Sequence, residues 1–182
     1  MKSQLPSERE ALKLLSQVGC IQEVVNHCKA VADLAVEMAK ACNRTTRKVD
    51  VQLVRIGALL HDIGRAKTHT VDHGLLGAYL ADELKLAPSV VSIIERHVGS
   101  GIALEEAEKL GWPAKDYVPV TLEEKIVAYT DKLIVGSRRV TFSVTLERFI
   151  QDKTTSSGSV RRLIRMHKDI LNISSSKGST DD

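Results

Sequence analysis

Apolar side chains recur every three or four residues along nearly the whole chain, and this spacing excludes most fold classes. The spacing places apolar side chains on one face of an α-helix, whereas a half-buried strand needs alternation every second residue. Almost no segment alternates in that way, and no internal repeat is visible. The chain is therefore predicted to be all-α, with its helices packed around a common core.

Capping and turn residues set the predicted helix boundaries. Gly64 suits the end of one helix, and Asp72 is predicted to cap the start of the next with its side chain. The polar stretch Thr154–Ser159 is predicted to be a flexible connector, and the tail 174–182 is predicted to be disordered. The predicted helices cover approximately residues 7–17, 21–42, 51–61, 73–84, 88–98, 103–110, 122–135, 141–152 and 160–171.

The 182 residues suit one ordinary domain with a sizeable core. We assign residues 1–152 to this domain and residues 153–182 to the connector, an amphipathic C-terminal helix and the tail. Hydrophobic residues make up 43% and charged residues 27% of the chain. The formal net charge of +3 is too small to predict specific nucleic-acid binding.

The three cysteines indicate a reducing compartment. They are odd in number and form no CxxC pair, and the chain begins with no apolar signal-like stretch. We therefore expect reduced thiols and a cytoplasmic protein. No segment has the apolar length that spans a bilayer, so we expect no membrane association. The oligomeric state stays open.

Six polar residues occupy positions that the helical pattern directs toward the core. His27, for example, lies three residues after Val24 and four before Val31, and Asp131 lies four residues after Val127. A lone histidine on such a face is more often a satisfied core residue, and a lone aspartate is more often a cap. A buried carboxylate without a partner is costly, however, and a divalent cation is a natural partner. We therefore predict a metal site formed by His27, His61, Asp62, His73, His97 and Asp131.

The ligand types restrict the metal and its chemistry. Imidazole and carboxylate suit divalent transition metals such as Fe, Mn, Zn, Ni or Co, and no cysteines are spaced for a thiolate zinc site. One or two ions are compatible with six ligands. A metal pair activates a water molecule and clamps a phosphoryl group. Asp62 and Asp131 are the carboxylates of the set, and we expect them to bridge or fix the metal.

The order of these residues resembles the HD superfamily of metal-dependent phosphohydrolases. His27 is followed by the His61-Asp62 pair and then by Asp131, and the string from His61 to Gly64 is the HDIG variant of the family motif. The resemblance implies an HD-domain helical bundle. It also implies that these four side chains hold a first metal ion.

Further strings are similar to bacterial symmetrical diadenosine tetraphosphate hydrolases. They are HGLLGAYLADEL from His73, IIERHVGSG around His97 and LEEKIVAYTDKL around Asp131. This similarity covers roughly residues 21–149 and implies that His73 and His97 complete a di-iron centre. The segment EEAEKLGWPAKDYVP departs from those enzymes, which have a shorter connection there, and is shared with a small family of archaeal HD proteins. Arg65 also replaces the usual lysine of the HDIGK string.

Several cations near the motifs are candidates for phosphate contacts. We assign a catalytic role to Asp62 through the metal, and to three cations through substrate phosphate oxygens, namely Arg65, Lys132 and Arg138. Arg96 is a weaker candidate. Trp112 and Tyr117 could stack on a base, but aromatic residues beside prolines are more often packing anchors.

These features predict a phosphohydrolase acting on a nucleotide-like phosphoester or phosphoanhydride, with a small phosphorylated molecule as its partner. A dinucleoside polyphosphate is the first substrate to test. Two alternatives stay open at this point. One is a non-catalytic HD-type regulatory or binding module, which the full ligand set disfavours. The other is a di-iron oxygenase, which the basic residues around the motif disfavour.

Overall fold

A computed structural model describes residues 5–45 and 48–175, and confirms the all-α prediction. A single 3-10 turn, Ile63–Ala66, and a short hairpin of β1 (Ile134–Val135) and β2 (Arg138–Arg139) accompany the helices within these ranges. The helices are α1 (Glu8–Gln17), α2 (Gln22–Asn43), α3 (Val51–Leu60), α4 (His73–Glu83), α5 (Pro88–Arg96), α6 (Leu104–Lys109), α7 (Leu122–Lys132), α8 (Phe142–Gln151) and α9 (Ser157–Ser175).

Hydroxyl side chains fix where several helices begin. Ser7, Thr121 and Thr141 each accept a hydrogen bond from a backbone N–H in the first turn of α1, α7 and α8. At α7 the carboxylate of Glu124 also accepts from the Thr121 N–H, which completes a capping box. Each such cap stabilises its helix by about 1 kcal/mol, so these starts are encoded locally.

The core forms where α2, α3, α5 and α7 pack against one another. Helix α2 packs on α3 and α7, and α5 packs on α3, α4 and α7. The residues Val31, Ile56, Ile94 and Ile126 bring fully buried side chains to this centre from the four helices. Burying one such side chain contributes about 1.5–3 kcal/mol. Core packing therefore fixes the positions of the helices that carry the candidate site residues.

Two glycines allow the 3-10 turn to touch α4. A Cβ atom on Gly64 would lie 1.9 Å from the carbonyl oxygen of His73 and 2.7 Å from the backbone nitrogen of Gly77. No side chain fits in this gap. The close backbone approach brings the segment after α3 against the first turns of α4.

Helix α9 packs onto the bundle. It contacts α2, α7 and α8, and it buries Leu163, Met166 and Ile170. It begins at Ser157, so the second half of the predicted connector Thr154–Ser159 is helical, and the prediction of a flexible segment is wrong there. Ser156 Oγ accepts a hydrogen bond from the Ser159 N–H and thereby supports the first turn. The division of the chain at residue 152 stays a prediction, and residues 176–182 of the predicted disordered tail lie outside the described residues.

Two local predictions are wrong. The predicted helix 122–135 ends at Lys132, because Gly136 adopts a positive φ of 61° and turns the chain into the β-hairpin. The Asp72 side chain makes no cap bond. It accepts hydrogen bonds from the Thr70 hydroxyl and the Trp112 indole instead, because tertiary partners compete for its oxygens.

None of the helices in the described ranges combines the length and the apolar character that a bilayer crossing requires. The cysteines, all within those ranges, are free, with Cys28 and Cys42 buried and Cys20 half-buried.

Candidate metal centre

All six predicted ligands lie in one cluster, although they come from five helices. His27 belongs to α2, His73 opens α4, and Asp131 lies in the last turn of α7. The other three occupy helix ends. His61 and Asp62 follow α3, and His97 follows α5.

Backbone carbonyls orient the four imidazole rings. The Nδ1–H groups of His61, His73 and His97 each donate to the carbonyl three residues earlier, at 2.7 Å in every case. His27 donates its Nδ1–H across the fold to the carbonyl of Gly136, at 2.8 Å. A neutral ring that donates from Nδ1 carries its lone pair on Nε2. All four rings therefore direct Nε2 into the cluster, and each neutral ring presents a lone pair there.

Several Nε2 atoms lie close together, and not all of them have a hydrogen-bond partner among the described residues. Those of His73 and His97 lie 3.0 Å apart. Burial lowers the pKa of His97 to about 4, so its ring is neutral near pH 7. The Nε2 atom of His61 is buried, and no described residue makes a hydrogen bond to it. Lone pairs this close repel each other, and a cation between them would satisfy several at once.

Asp62 sits between two halves of the cluster. Its Oδ1 lies 3.1 Å from His73 Nε2 and 3.4 Å from His97 Nε2. Its Oδ2 faces the other side, 3.7 Å from His61 Nε2 and 4.0 Å from His27 Nε2. A carboxylate with one oxygen toward each half has the placement of a bridging ligand.

Asp131 closes the half that contains His27. Its Oδ1 lies 2.9 Å from His27 Nε2 and 3.5 Å from His61 Nε2, and its Oδ2 accepts from the Lys132 ammonium at 2.5 Å. Burial acts to raise the pKa of Asp131. The Lys132 charge and the contacts with both histidines outweigh burial and hold this pKa well below its ordinary value. The Asp131 carboxylate is therefore anionic at neutral pH.

The donor set fits divalent transition metals. Two overlapping groups hold ligand atoms within 4.8 Å of one another, one formed by His27, His61 and Asp131 and the other by His61, Asp62 and His97. Nitrogen and carboxylate oxygen donors are those that such ions prefer. The buried, unpartnered Nε2 of His61 belongs to both groups. The chain thus contains His/Asp groups that could hold a metal.

The predicted phosphate-binding cations are placed differently from one another. Lys132 lies against Asp131. Arg65 donates from Nε to Asp62 Oδ1 at 3.2 Å and from a terminal nitrogen to the His69 carbonyl at 2.8 Å. Arg138 is exposed on β2, and no described hydrogen bond or ion pair joins its guanidinium to the cluster. Arg96, the weaker candidate, pairs with the buried carboxylate of Glu124.

Trp112 and Tyr117 are packing residues. Their rings meet edge to face with centroids 5.1 Å apart, and Tyr117 is fully buried. The Trp112 indole N–H donates to Asp72 at 2.7 Å. Neither ring presents an open face for a base, which confirms the packing interpretation over stacking.

The sequence did not indicate two parts of the site. The Gly136 carbonyl orients His27, but it lies in a turn just past the end of the predicted helix 122–135. A cavity of about 1030 Å³ also opens at Asp131 and Lys132, and Arg148 and Lys109 contribute to its lining. Arg148 and Lys109 are 39 positions apart in the sequence, and only the tertiary fold brings both to the cavity that contains Asp131.

Known proteins resemble this chain in sequence and in fold. An HD domain family model matches residues 24–136. An uncharacterized protein of Methanocaldococcus jannaschii is 44% identical over 164 residues, which cover 90% of this chain and 96% of that protein. A tRNA (cytidine(56)-2'-O)-methyltransferase of Thermoplasma volcanium is 39% identical over 164 residues, and the match covers 90% of this chain but only 46% of the enzyme.

A solved structure has the same fold. It is the HD domain of the L. monocytogenes phosphodiesterase PgpH in complex with cyclic-di-AMP, with a TM-score of 0.53 and 18% identity. The alignment covers 94% of this chain and 100% of that domain. The family match spans every one of the six clustered residues, from His27 to Asp131. The chain belongs to the HD domain family.

Proposed function

We propose that this chain is a metal-dependent phosphohydrolase that cleaves a nucleotide-like phosphoester or phosphoanhydride. The observation that carries the proposal is the convergence of four imidazole Nε2 atoms on Asp62 and Asp131. Such a cluster is costly without a cation. When bound, a metal pair would supply an activated water and positive charge for phosphoryl oxygens.

Each residue of the cluster has a role in this proposal. His27, His61, Asp62 and Asp131 would hold one ion, and His73 and His97 would hold a second. The carbonyls that accept the Nδ1 hydrogens keep the rings in the tautomer that a metal requires.

The neighbouring cations contact the phosphate of the substrate or hold the candidate ligand side chains in place. The Lys132 ammonium lies beside Asp131 at the open side of the cluster, where it is placed to neutralise a phosphoryl oxygen. Arg65 keeps Asp62 in place through its Nε–H and has one terminal nitrogen available for the substrate. Arg138 follows the Gly136 turn, and its role in phosphate binding depends on the substrate reaching the hairpin.

The substrate class rests on the cavity and on the fold relative. A cavity of about 1030 Å³ is of the size that holds a whole nucleotide rather than an inorganic ion. The PgpH HD domain, of the same fold, binds cyclic-di-AMP. A dinucleoside polyphosphate and a cyclic dinucleotide are therefore the first two substrates to test.

A release assay tests the proposal. The purified chain is loaded with Fe, Mn, Zn, Ni or Co in turn and incubated with a mononucleotide, a dinucleoside polyphosphate, a cyclic dinucleotide and a short RNA. We expect phosphate or nucleotide release that requires metal and is lost in His61→Ala. Stoichiometric metal without any product would contradict hydrolysis, and oxygen uptake coupled to an organic substrate would favour an oxygenase. A chain that binds no transition metal would favour a regulatory module.

A further inference from the structure

The cavity beside the cluster continues away from the metal ligands as a groove. It begins at Asp131 and Lys132 and runs between α6, α8 and the start of α9, with Thr145, Arg148, Lys109 and Ser159 among its walls. We call it the α6–α8 groove. Its volume, about 1030 Å³, leaves room for much more than the phosphoryl group at the metal.

Helix α8 is fixed to the end of α7, next to Asp131. The Thr145 hydroxyl, buried with 2% exposure, donates to the Lys132 carbonyl at 2.8 Å. Arg148 lies one turn further along α8 on the same face. Thr145 therefore anchors the part of α8 that carries Arg148, an exposed residue that lines the groove.

The opposite wall is also held in place by side-chain contacts. Arg162 of α9 donates to the Gly101 carbonyl at 2.9 Å and pairs with Glu106 of α6. The Ser100 hydroxyl, fully buried, donates to the Ser159 carbonyl at 2.7 Å. These contacts join the start of α9 to the loop that follows His97.

The charges in the groove are unevenly matched. Asp131 neutralises Lys132, and Glu106 neutralises Arg162. The described residues provide no ion pair for Arg148. Asp152, one turn beyond Arg148, accepts the backbone N–H and the hydroxyl of Thr154 instead. An anion lying in the groove would therefore meet the Arg148 guanidinium without displacing a protein carboxylate.

We propose that Arg148 binds a second phosphate of the substrate, further along the α6–α8 groove than the phosphoryl group at the metal cluster. This inference rests on the proposed function and narrows its substrate to nucleotides that carry at least two phosphates. A guanidinium suits this role because its planar fork matches two phosphate oxygens. Lys109 of α6 lines the same groove and adds positive charge to it.

Binding of two inorganic probes to the metal-loaded full chain tests the inference. Orthophosphate reaches the metal cluster alone, whereas tripolyphosphate is long enough to extend into the groove. We expect Arg148→Gln to weaken tripolyphosphate binding by about tenfold or more and to leave orthophosphate binding unchanged. Arg148→Lys should recover part of the loss. Isothermal titration calorimetry measures both dissociation constants.

Arg165→Gln is the matched control. Arg165 is exposed on α9 and does not line the groove, and its substitution removes the same charge. A loss of tripolyphosphate affinity below twofold in Arg148→Gln, or an equal loss in both variants, would overturn the inference. If tripolyphosphate binding depends on Arg148 but no substrate is hydrolysed, the inference stands and the proposed function fails. If phosphate esters are hydrolysed and Arg148→Gln binds tripolyphosphate normally, the proposed function stands alone.

Discussion

Gly64 and Gly77 touch backbone to backbone, and a Cβ atom on Gly77 would lie 3.0 Å from the Gly64 nitrogen. This contact seats the turn after Asp62 on the helix that His73 opens. The HDIG string therefore ends in glycine for a reason of packing. The absence of a side chain at Gly64 lets the segment that follows Asp62 contact the helix that begins at His73.

Gly64→Ala should consequently disrupt both stability and the metal site. The added Cβ would overlap the His73 carbonyl, which is backbone and cannot rotate away. We expect a loss of at least about 2 kcal/mol in unfolding free energy, together with weaker metal binding. Urea unfolding and elemental analysis check the two effects.

Gly111→Ala serves as the control for that substitution. Gly111 has a positive φ of 73°, but a methyl group there would meet open space, so only backbone strain of about 1 kcal/mol is expected. Equal losses in the two variants would show that the Gly64–Gly77 contact has no special importance.

Asp62→Asn should lower metal affinity by at least tenfold and abolish hydrolysis while leaving the helices formed. The amide keeps the shape of the carboxylate but loses the charge that faces both halves of the cluster. Circular dichroism checks helicity, and elemental analysis checks the bound metal. His69→Ala is the control, since the His69 side chain is exposed and only its backbone carbonyl takes part in the site. Metal retained in full by Asp62→Asn would contradict the assignment.

The metal-free protein should lose stability as the pH falls from 6.5 to about 4. In this range an unfolded His97 gains a proton, whereas burial has lowered the pKa of the folded His97 to about 4. The unfolded state therefore binds more protons, which costs up to roughly 1 kcal/mol per pH unit. Urea unfolding in the presence of a chelator, across this range, measures the slope.

His61 does not mask that slope. Burial opposes its charge, but Cys28, Asp62 and Asp131 raise its pKa well above 6.5. A raised folded pKa gives stability that is complete below pH 6.5 and is lost only at higher pH. A flat unfolding free energy between pH 6.5 and 4.5 would therefore count against a neutral, buried His97.

Arg65→Lys should reduce hydrolysis and leave the metal content unchanged. The Arg65 guanidinium reaches both Asp62 and the His69 carbonyl, and a single ammonium cannot make both contacts. We expect kcat/KM to fall by about tenfold, with metal content unchanged. A variant as active as the parent would show that positive charge alone suffices at this position.

Ile170→Ala should show that α9 contributes to the stability of the bundle. Ile170 is fully buried and belongs to the main core cluster, so the cavity should cost about 2–5 kcal/mol. Leu171→Ala, at a neighbouring position that is 46% exposed, should cost under about 1 kcal/mol. Equal unfolding midpoints for the two variants would indicate that α9 packs only weakly on the other helices.

Helical periodicity predicts that His27 and Asp131 lie on the inward faces of their helices. His27 and Asp131 follow the apolar stripes of α2 and α7, and those stripes form the core. A pattern of side chains cannot, however, predict contacts made by backbone atoms. The Gly136 carbonyl reaches His27 only because the chain reverses direction after Lys132. The sequence predicts a helix through Val135 and so does not predict this turn.

The position of Arg148 was beyond prediction for a related reason. Its spacing from Thr145 is visible in the sequence, but the bond from Thr145 to the Lys132 carbonyl is a tertiary contact. Asp72 is a second example of a tertiary contact that the sequence does not predict. The sequence predicts a helix cap, but the Asp72 carboxylate accepts a hydrogen bond from Trp112, 40 positions later.

Beyond Asp131 and Lys132, the α6–α8 groove runs between α6, α8 and α9, and none of these three helices contributes a histidine or aspartate to the cluster. If the proposed hydrolase activity holds, substitutions in these helices would change which substrates fit the groove without removing a candidate metal ligand. Evolution can thus exchange one specificity for another on an unchanged reactive core. Relatives that keep all six ligands are expected to differ most in these three helices.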